Sequence, residues 1–179
     1  MRLKRAEASH GASTIVMAQA YPKSQFFGFD YHQPSLDRAA TLANEAGLGD
    51  RIIFEQASAK DFPARGYDLV AFLDCLHDMG DPVGAGRHVK QTLARDGVWM
   101  IVEPFAHDTL KDNLNPVGRV FYGASTFICT PVSLSQEVAL GLGAQAGERQ
   151  LRQVATEAGF TRFRRAAETP FNMIFEARA

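Results

Sequence analysis

The sequence predicts an α/β protein with a doubly wound, mostly parallel sheet. Three observations support this prediction: strand-like and helix-like segments alternate along the chain, two of the strand-like segments are almost continuously apolar, and acidic residues follow several of them. Strands that alternate with helices favour a parallel sheet with helices on both faces, and a strand covered on both faces is an apolar run. The 179 residues suit a single domain.

Apolar spacing and turn residues define the elements in order. The helix at 35–46, for example, places Leu36, Ala39 and Ala43 on one face, and Gly47 then ends it. Asp81 and Pro82 are a typical N-cap and first helical residue. In chain order we predict a helix from Gly11 to about 20, a strand at 25–30, a helix at 35–46, strands at 51–56 and 67–73, a helix from 82 to about 95, a strand at 97–103, a helix at 149–158, and a closing antiparallel β-hairpin of 160–166 and 171–177.

Residues 106–147 do not fit the alternation of strands and helices seen in the rest of the chain. This segment is apolar and carries Phe121, Tyr122 and Phe127. Long connections of this kind are commonly functional, so we predict a helical insertion before the last helix that serves as a lid or substrate wall. A helical flap that only covers the core is the alternative.

Composition excludes several classes of protein. The net charge of −1 argues against a nucleic-acid partner. The sequence contains no run of 18 or more apolar residues, so we predict no membrane span. Cys75 and Cys129 are expected to be buried and reduced, and the histidines lack metal-ligand spacing, so no metal is predicted. With no apolar segment typical of a signal peptide, we expect a cytoplasmic protein.

The first candidate site combines a glycine turn with an acidic residue. Gly11 precedes a helix, and Asp30 follows it by nineteen residues at the end of the next strand. A glycine lets a ligand approach the backbone, and a carboxylate at that place can accept both hydroxyls of a ribose. Because ligands of such sheets bind beyond the carboxyl ends of the strands, Asp74 and Glu103 are also well placed.

Four segments together resemble the class I S-adenosylmethionine-dependent methyltransferases, and in particular the small-molecule O-methyltransferases. They are the strand that ends in Asp30, the stretch 54–63, the segment 67–70 and the terminal hairpin. The resemblance implies a Rossmann-like fold, S-adenosyl-L-methionine as cofactor and a small, hydroxylated, hydrophobic methyl acceptor. It implies a cofactor site in which Asp30 holds the ribose, Tyr31 flanks the adenine, Ser58 and Ala59 lie at the adenine edge, and Gly11 and Asp74 contribute.

The stretch 74–82 is similar to the Leu-His-Asp-Trp segment of those O-methyltransferases, with Met79 in place of Trp. By this resemblance His77 is the general base that takes the proton of the acceptor hydroxyl. Glu103, at the end of the next strand, is the acid that orients the base. His77 as a residue that only lines the pocket, or as a purely structural residue, stays open at this point.

The N-terminus departs from the family pattern. Only Gly11 remains of the glycine-rich signature, Ala8 and Ser9 stand where glycines are expected, and residues 1–5 are a poor strand. In the family fold that strand lies mid-sheet, so either residues 1–8 or a second copy of the chain, in a homodimer, should fill the slot. Crowding by the Cβ atoms predicts weak cofactor binding and little or no activity. A non-catalytic remnant and a nicotinamide-dependent oxidoreductase are the alternatives.

Overall fold

The computed structural model describes the backbone of residues 2–6 and the whole of residues 11–179. Seven strands form one sheet in the order β3-β2-β1-β4-β5-β7-β6, in which β1 to β5 are parallel and β6 and β7 are antiparallel. The elements are β1 (Arg2–Ala6), α1 (Ala12–Ala20), β2 (Gln25–Asp30), α2 (Gln33–Glu45), β3 (Ile52–Gln56), β4 (Tyr67–Leu73), α3 (Pro82–Thr92), β5 (Leu93–Pro104), α4 (Pro116–Ala124), α5 (Thr130–Leu134), α6 (Glu148–Glu157), β6 (Arg162–Glu168) and β7 (Asn172–Arg178). The predicted doubly wound α/β fold with a terminal hairpin is therefore confirmed.

The N-terminal segment fills the mid-sheet slot, which is the first of the two predicted alternatives. Residues 1–5 are poor strand formers by sequence, yet β1 lies mid-sheet and pairs in parallel with both β2 and β4. A central strand forms backbone hydrogen bonds on both sides, and these outweigh the low β-propensity of Arg and Lys. The chain thus fills the slot with its own residues. The predicted glycine-loop positions Glu7–His10 lie outside the described residues.

Most boundaries agree with the predicted ones within three residues, but β5 begins earlier than expected. α3 ends at Thr92 rather than near 95, and Leu93 already pairs with Tyr67 across the sheet. Leu69 then pairs with Val98, which leaves an irregularity in the pairing of β4 with β5. The strand therefore begins at Leu93, and residues 94–97 lie in the irregular part of the pairing.

Aromatic residues build the core around the sheet. Trp99 and Tyr67 are fully buried, and Phe72 packs edge-on against Trp99 with ring centroids 5.4 Å apart. Gly28, in the middle of β2, shows how close the packing is: a Cβ there would lie 2.5 Å from two ring atoms of Phe54. This density holds the carboxyl ends of the strands in fixed relative positions.

The segment 106–147 is largely helical. It contains a 3₁₀ turn at Lys111–Asn113, α4, a π-helical turn at Ser125–Cys129 and α5. Within this segment, α5 contacts the turn after β4, since the hydroxyl of Ser133 donates to the carbonyl of Met79 at 2.8 Å. Its other side leaves Phe127 and Ile128 largely exposed. Within the described part of the chain, no helix has the length and apolar character needed to cross a bilayer.

Candidate active site

A cavity of about 780 Å³ opens beyond the carboxyl ends of β2, β3 and β4. One wall is formed by the ends of β2 and β3, and the opposite wall by the turn after β4 and the end of the helical insertion. The lining residues are Phe29, Asp30, Tyr31, Ala57, Ser58, Ala59, Lys60, Asp78, Met79, Asp81, Ala85, Val132, Ser135, Gln136 and Glu137. Ligands of doubly wound sheets bind at this edge.

Four of the predicted cofactor residues lie along this cavity. Asp30 ends β2 and is largely buried, and its Oδ1 accepts the backbone N–H of His32 at 2.9 Å. Tyr31 is 72% exposed at the rim. The backbone N–H of Ser58 donates to Asp61 at 2.6 Å, which fixes the turn that carries Ser58 and Ala59. The structure therefore brings these four residues together along one cavity, and their contact with a cofactor stays a prediction.

The two other predicted cofactor residues, Gly11 and Asp74, are not among the described residues that line the cavity. Gly11 has a φ of 76°, and a Cβ there would lie 2.9 Å from Ala39 and from Phe54, so its conformation and packing both require glycine. Asp74 also has a positive φ, and its carboxylate accepts from the side chain of Asn172 at 3.0 Å. Both residues have structural contacts of their own, and their contact with a cofactor stays a prediction.

His77 and Glu103 form a buried pair at the ends of β4 and β5. The two side chains are 5% and 2% exposed, and His77 Nδ1 lies 2.5 Å from one carboxylate oxygen of Glu103. The other oxygen accepts the backbone N–H of Leu76 at 2.9 Å. Because both oxygens are engaged, the carboxylate is fixed and so is the orientation of the imidazole ring.

Burial and charge act in opposite directions on the pKa of His77. Burial lowers it, but the hydrogen bond and the charge of Glu103, together with the charges of Asp78 and Asp74, raise the pKa of His77 to about 9. Burial raises the pKa of Glu103, and His77 offsets part of that effect. The pKa values of both groups are raised, so the pair holds a proton at neutral pH.

The other ring nitrogen belongs to a second cluster. His77 Nε2 lies 3.3 Å from Asp78 Oδ1, and both atoms lie within 4.8 Å of the sulfur of Cys129. Burial, and after it the charge of Asp78, raise the pKa of Cys129 to about 11. A cation at these atoms would have to displace protons from both the ring and the thiol, so we interpret the cluster as a proton-carrying one. Cys75 and Cys129 are both buried and form no disulfide, as predicted.

The sequence predicted the insertion as a lid or substrate wall, but not which of its residues line the cavity. Val132, Ser135, Gln136 and Glu137 lie more than 70 residues from the strand ends of the opposite wall, and no periodic signal links the two. Gln136 donates to the carbonyl of Asp78 at 2.8 Å, which joins the insertion to the turn after β4. Asp78 could have been found, because it follows His77 in the recognised stretch.

The Lys60 side chain spans the cavity between its two walls. Its ammonium group pairs with Glu137 on the insertion and with Asp81, the N-cap of α3, at 3.3 Å. The hydrogen bond to Glu137 is the main cause that raises the pKa of Lys60. This three-residue contact, the Lys60 bridge, consists of residues that all line the cavity.

The fold and the cavity define the class of protein: a doubly wound α/β domain with a cavity beyond its strand ends. A family model described as "Methyltransferase domain" matches residues 8–159, which is most of the chain. The chain therefore belongs to this methyltransferase family. Among proteins with curated descriptions, none matches the chain significantly.

Solved structures share the fold at low sequence identity. A protein from Nostoc punctiforme assigned as an O-methyltransferase is 22% identical with a TM-score of 0.74, and the match covers 99% of this chain and 52% of that one. PigF, solved with SAH, is 18% identical with a TM-score of 0.78, over 99% and 50%. YcgJ from Bacillus subtilis is 14% identical with a TM-score of 0.71, over 99% and 91%. The chain thus spans about half the length of the first two.

Proposed function

We propose that the chain transfers a methyl group from S-adenosyl-L-methionine to a hydroxyl group of a small, hydrophobic acceptor. The observation that carries this proposal is the buried His77–Glu103 pair beside a cavity at the strand ends of a methyltransferase domain. An oriented imidazole next to a ligand cavity is suited to take a proton from a hydroxyl group.

The residues of the cavity suit the cofactor. A carboxylate at the end of β2 can accept ribose hydroxyls, and the exposed ring of Tyr31 and the apolar Ala59 can flank an adenine. S-adenosylmethionine supplies a methyl group on a positively charged sulfur, which makes the carbon electrophilic. Solved neighbours are in keeping with this choice, since one was solved with SAH and another is described as an S-adenosylmethionine-dependent methyltransferase.

His77 and Glu103 have separate roles in this proposal. His77 accepts the proton of the acceptor hydroxyl, and Glu103 holds the ring tautomer and stabilises the imidazolium that forms. With a pKa of about 9, only about 1% of His77 is neutral at pH 7. The rate of methyl transfer should therefore rise about 50-fold between pH 7 and 9 and level off above pH 9.

The acceptor is proposed to be small and weakly polar. The wall contributed by the insertion combines Val132 with Ser135 and Gln136, and the chain has no excess of basic residues that would attract nucleic acid. The insertion would then act as the substrate wall of a single methyltransferase domain. Among the solved neighbours, one methylates mitomycin and another was crystallised with apigenin, which are both small molecules.

The test is transfer of a labelled methyl group. The protein is incubated with methyl-labelled S-adenosylmethionine and a panel of phenols that includes catechol and apigenin. His77→Gln should lower turnover by about 10²–10⁴-fold and leave cofactor affinity nearly unchanged. Equal loss of turnover and of cofactor affinity would instead make His77 a residue that lines the site. Binding of cofactor without transfer to any probe would favour a non-catalytic domain.

A further inference from the structure

Asp78 stands between the predicted base and the cavity. Its side chain is 33% exposed and lines the cavity, whereas His77 is 5% exposed, and neither His77 nor Glu103 is among the described residues that line it. A ligand in the cavity would therefore meet the carboxylate of Asp78 before it met the imidazole.

The contact between the two residues is direct. Nδ1 of His77 is committed to Glu103, so Nε2 is the nitrogen left for a substrate proton, and it faces Asp78 Oδ1 at 3.3 Å. This oxygen is fully buried, so its interaction with the ring is shielded from water. In such surroundings the charge of a carboxylate acts strongly on a neighbouring imidazole ring.

The backbone of Asp78 is held from two sides. Its N–H donates to the carbonyl of Cys75 at 3.3 Å, and its carbonyl accepts from Gln136 on the insertion at 2.8 Å. The backbone that carries the Asp78 carboxylate is thus held by two separate elements of the fold.

We propose that Asp78 is a further catalytic residue, which contacts the acceptor hydroxyl in the cavity and relays its proton to His77. This inference rests on the proposed function. In the step, the acceptor O–H bond breaks, its proton moves to the Asp78 carboxylate, and a proton passes from Asp78 to Nε2 of neutral His77.

The acceptor oxygen forms the new O–C bond in the same step, as the bond between the methyl carbon and the sulfur breaks and its electron pair stays on sulfur. The single positive charge of the sulfonium ends on His77, paired with Glu103, so atoms and charges balance. The ionisable groups that face His77 are Glu103 on β5, Asp74 and Asp78 on the turn after β4, and Cys129 on the insertion.

The first arm of the test is kinetic and compares Asp78→Asn with Asp112→Asn. The asparagine side chain keeps the shape of the Asp78 carboxylate but cannot accept a proton, and Asp112 is an exposed residue outside the cavity. With labelled S-adenosylmethionine and the phenol panel, Asp78→Asn should lower kcat at least 100-fold with little change in KM or cofactor affinity. The double variant Asp78→Asn/His77→Gln should have nearly the same kcat as the slower single variant, because both residues act on the same proton-transfer path.

A second arm needs no acceptor. In an NMR titration of the histidine rings, Asp78→Asn should lower the pKa of His77, because a negative charge next to Nε2 is lost. An unchanged pKa in this variant overturns the relay by itself. A raised KM with wild-type kcat overturns it too, since Asp78 would then only position the acceptor. No labelled product from the wild type refutes the proposed function and the relay with it, whereas wild-type turnover in Asp78→Asn refutes the relay alone.

Discussion

Replacing Glu103 with Gln should reverse the charge state of His77 at neutral pH. The carboxylate lies 2.5 Å from Nδ1 and is the main influence that raises the pKa of His77 above its ordinary value of 6.5. A glutamine amide in its place could still hold the ring by a hydrogen bond but carries no charge. Burial, which lowers the pKa, would then be opposed only by Asp78 and Asp74, so the pKa should fall by about two units or more.

The same change should flatten the dependence of stability on pH. A pKa raised from 6.5 to about 9 stabilises the folded state fully below about pH 6.5, and this contribution is lost as the pH rises through 9. At 1.36 kcal/mol per unit, the loss is about 3 kcal/mol. The raised pKa of Glu103 has the same sign, because it too makes the folded state bind more protons.

Two measurements check this prediction. NMR titration of labelled histidine gives the pKa of His77, identified by the signal that disappears in His77→Gln. Urea unfolding between pH 6 and 10 gives the slope of stability, with Glu55→Gln as the control, because that carboxylate forms a half-exposed pair with Arg65. A pKa that stays near 9 in Glu103→Gln, or a wild-type stability that does not fall with rising pH, would refute the account of the pair.

Two other predictions concern packing and access to the cavity. Gly28→Ala should lower the free energy of unfolding by about 1–3 kcal/mol, because its Cβ would lie 2.5 Å from the ring of Phe54. Gly123→Ala, in α4 with open space around it, should instead raise that energy by up to about 1 kcal/mol, and equal effects of the two variants in urea unfolding would contradict the packing argument. Lys60→Met removes the Lys60 bridge and should speed cofactor release a few-fold in stopped-flow measurements, in line with the roughly 0.2–1 kcal/mol typical of exposed pairs. Added salt should also speed cofactor release from the wild type but not from Lys60→Met. A release rate that changes with neither the substitution nor the salt would show that the Lys60 bridge does not control access.

Local pattern was enough to predict most of the fold. The apolar run of β4 and the Asp81–Pro82 start of α3 are signals within one segment, and the structure reproduces both. β1 could not be predicted in this way, because its charged residues form a strand only through pairing with neighbours on both sides. Register with Tyr67 likewise decides where β5 begins.

Some residues of the candidate site could likewise be predicted from local sequence, and others could not. Asp30 ends β2, and Ser58 and His77 lie two and four residues beyond the ends of β3 and β4, so the rule for strand ends singled them out as candidates from sequence. Cys129 and Gln136 reach the site through the tertiary placement of the insertion, for which the sequence has no local signal. The position of Asp78 between His77 and the cavity is a matter of side-chain geometry, which the order of residues does not determine.

The most direct test of the central claim is calorimetric titration of the chain with S-adenosylmethionine, in parallel with Asp30→Ala and with a nicotinamide cofactor. We expect one site with affinity weaker than micromolar, because Ala8 and Ser9 replace glycines. Loss of a carboxylate that accepts ribose hydroxyls costs about 1.5–3 kcal/mol, so Asp30→Ala should bind at least tenfold more weakly. Binding of the nicotinamide cofactor instead, or equal affinity of the wild type and Asp30→Ala, would contradict the assignment of this cavity as the cofactor site.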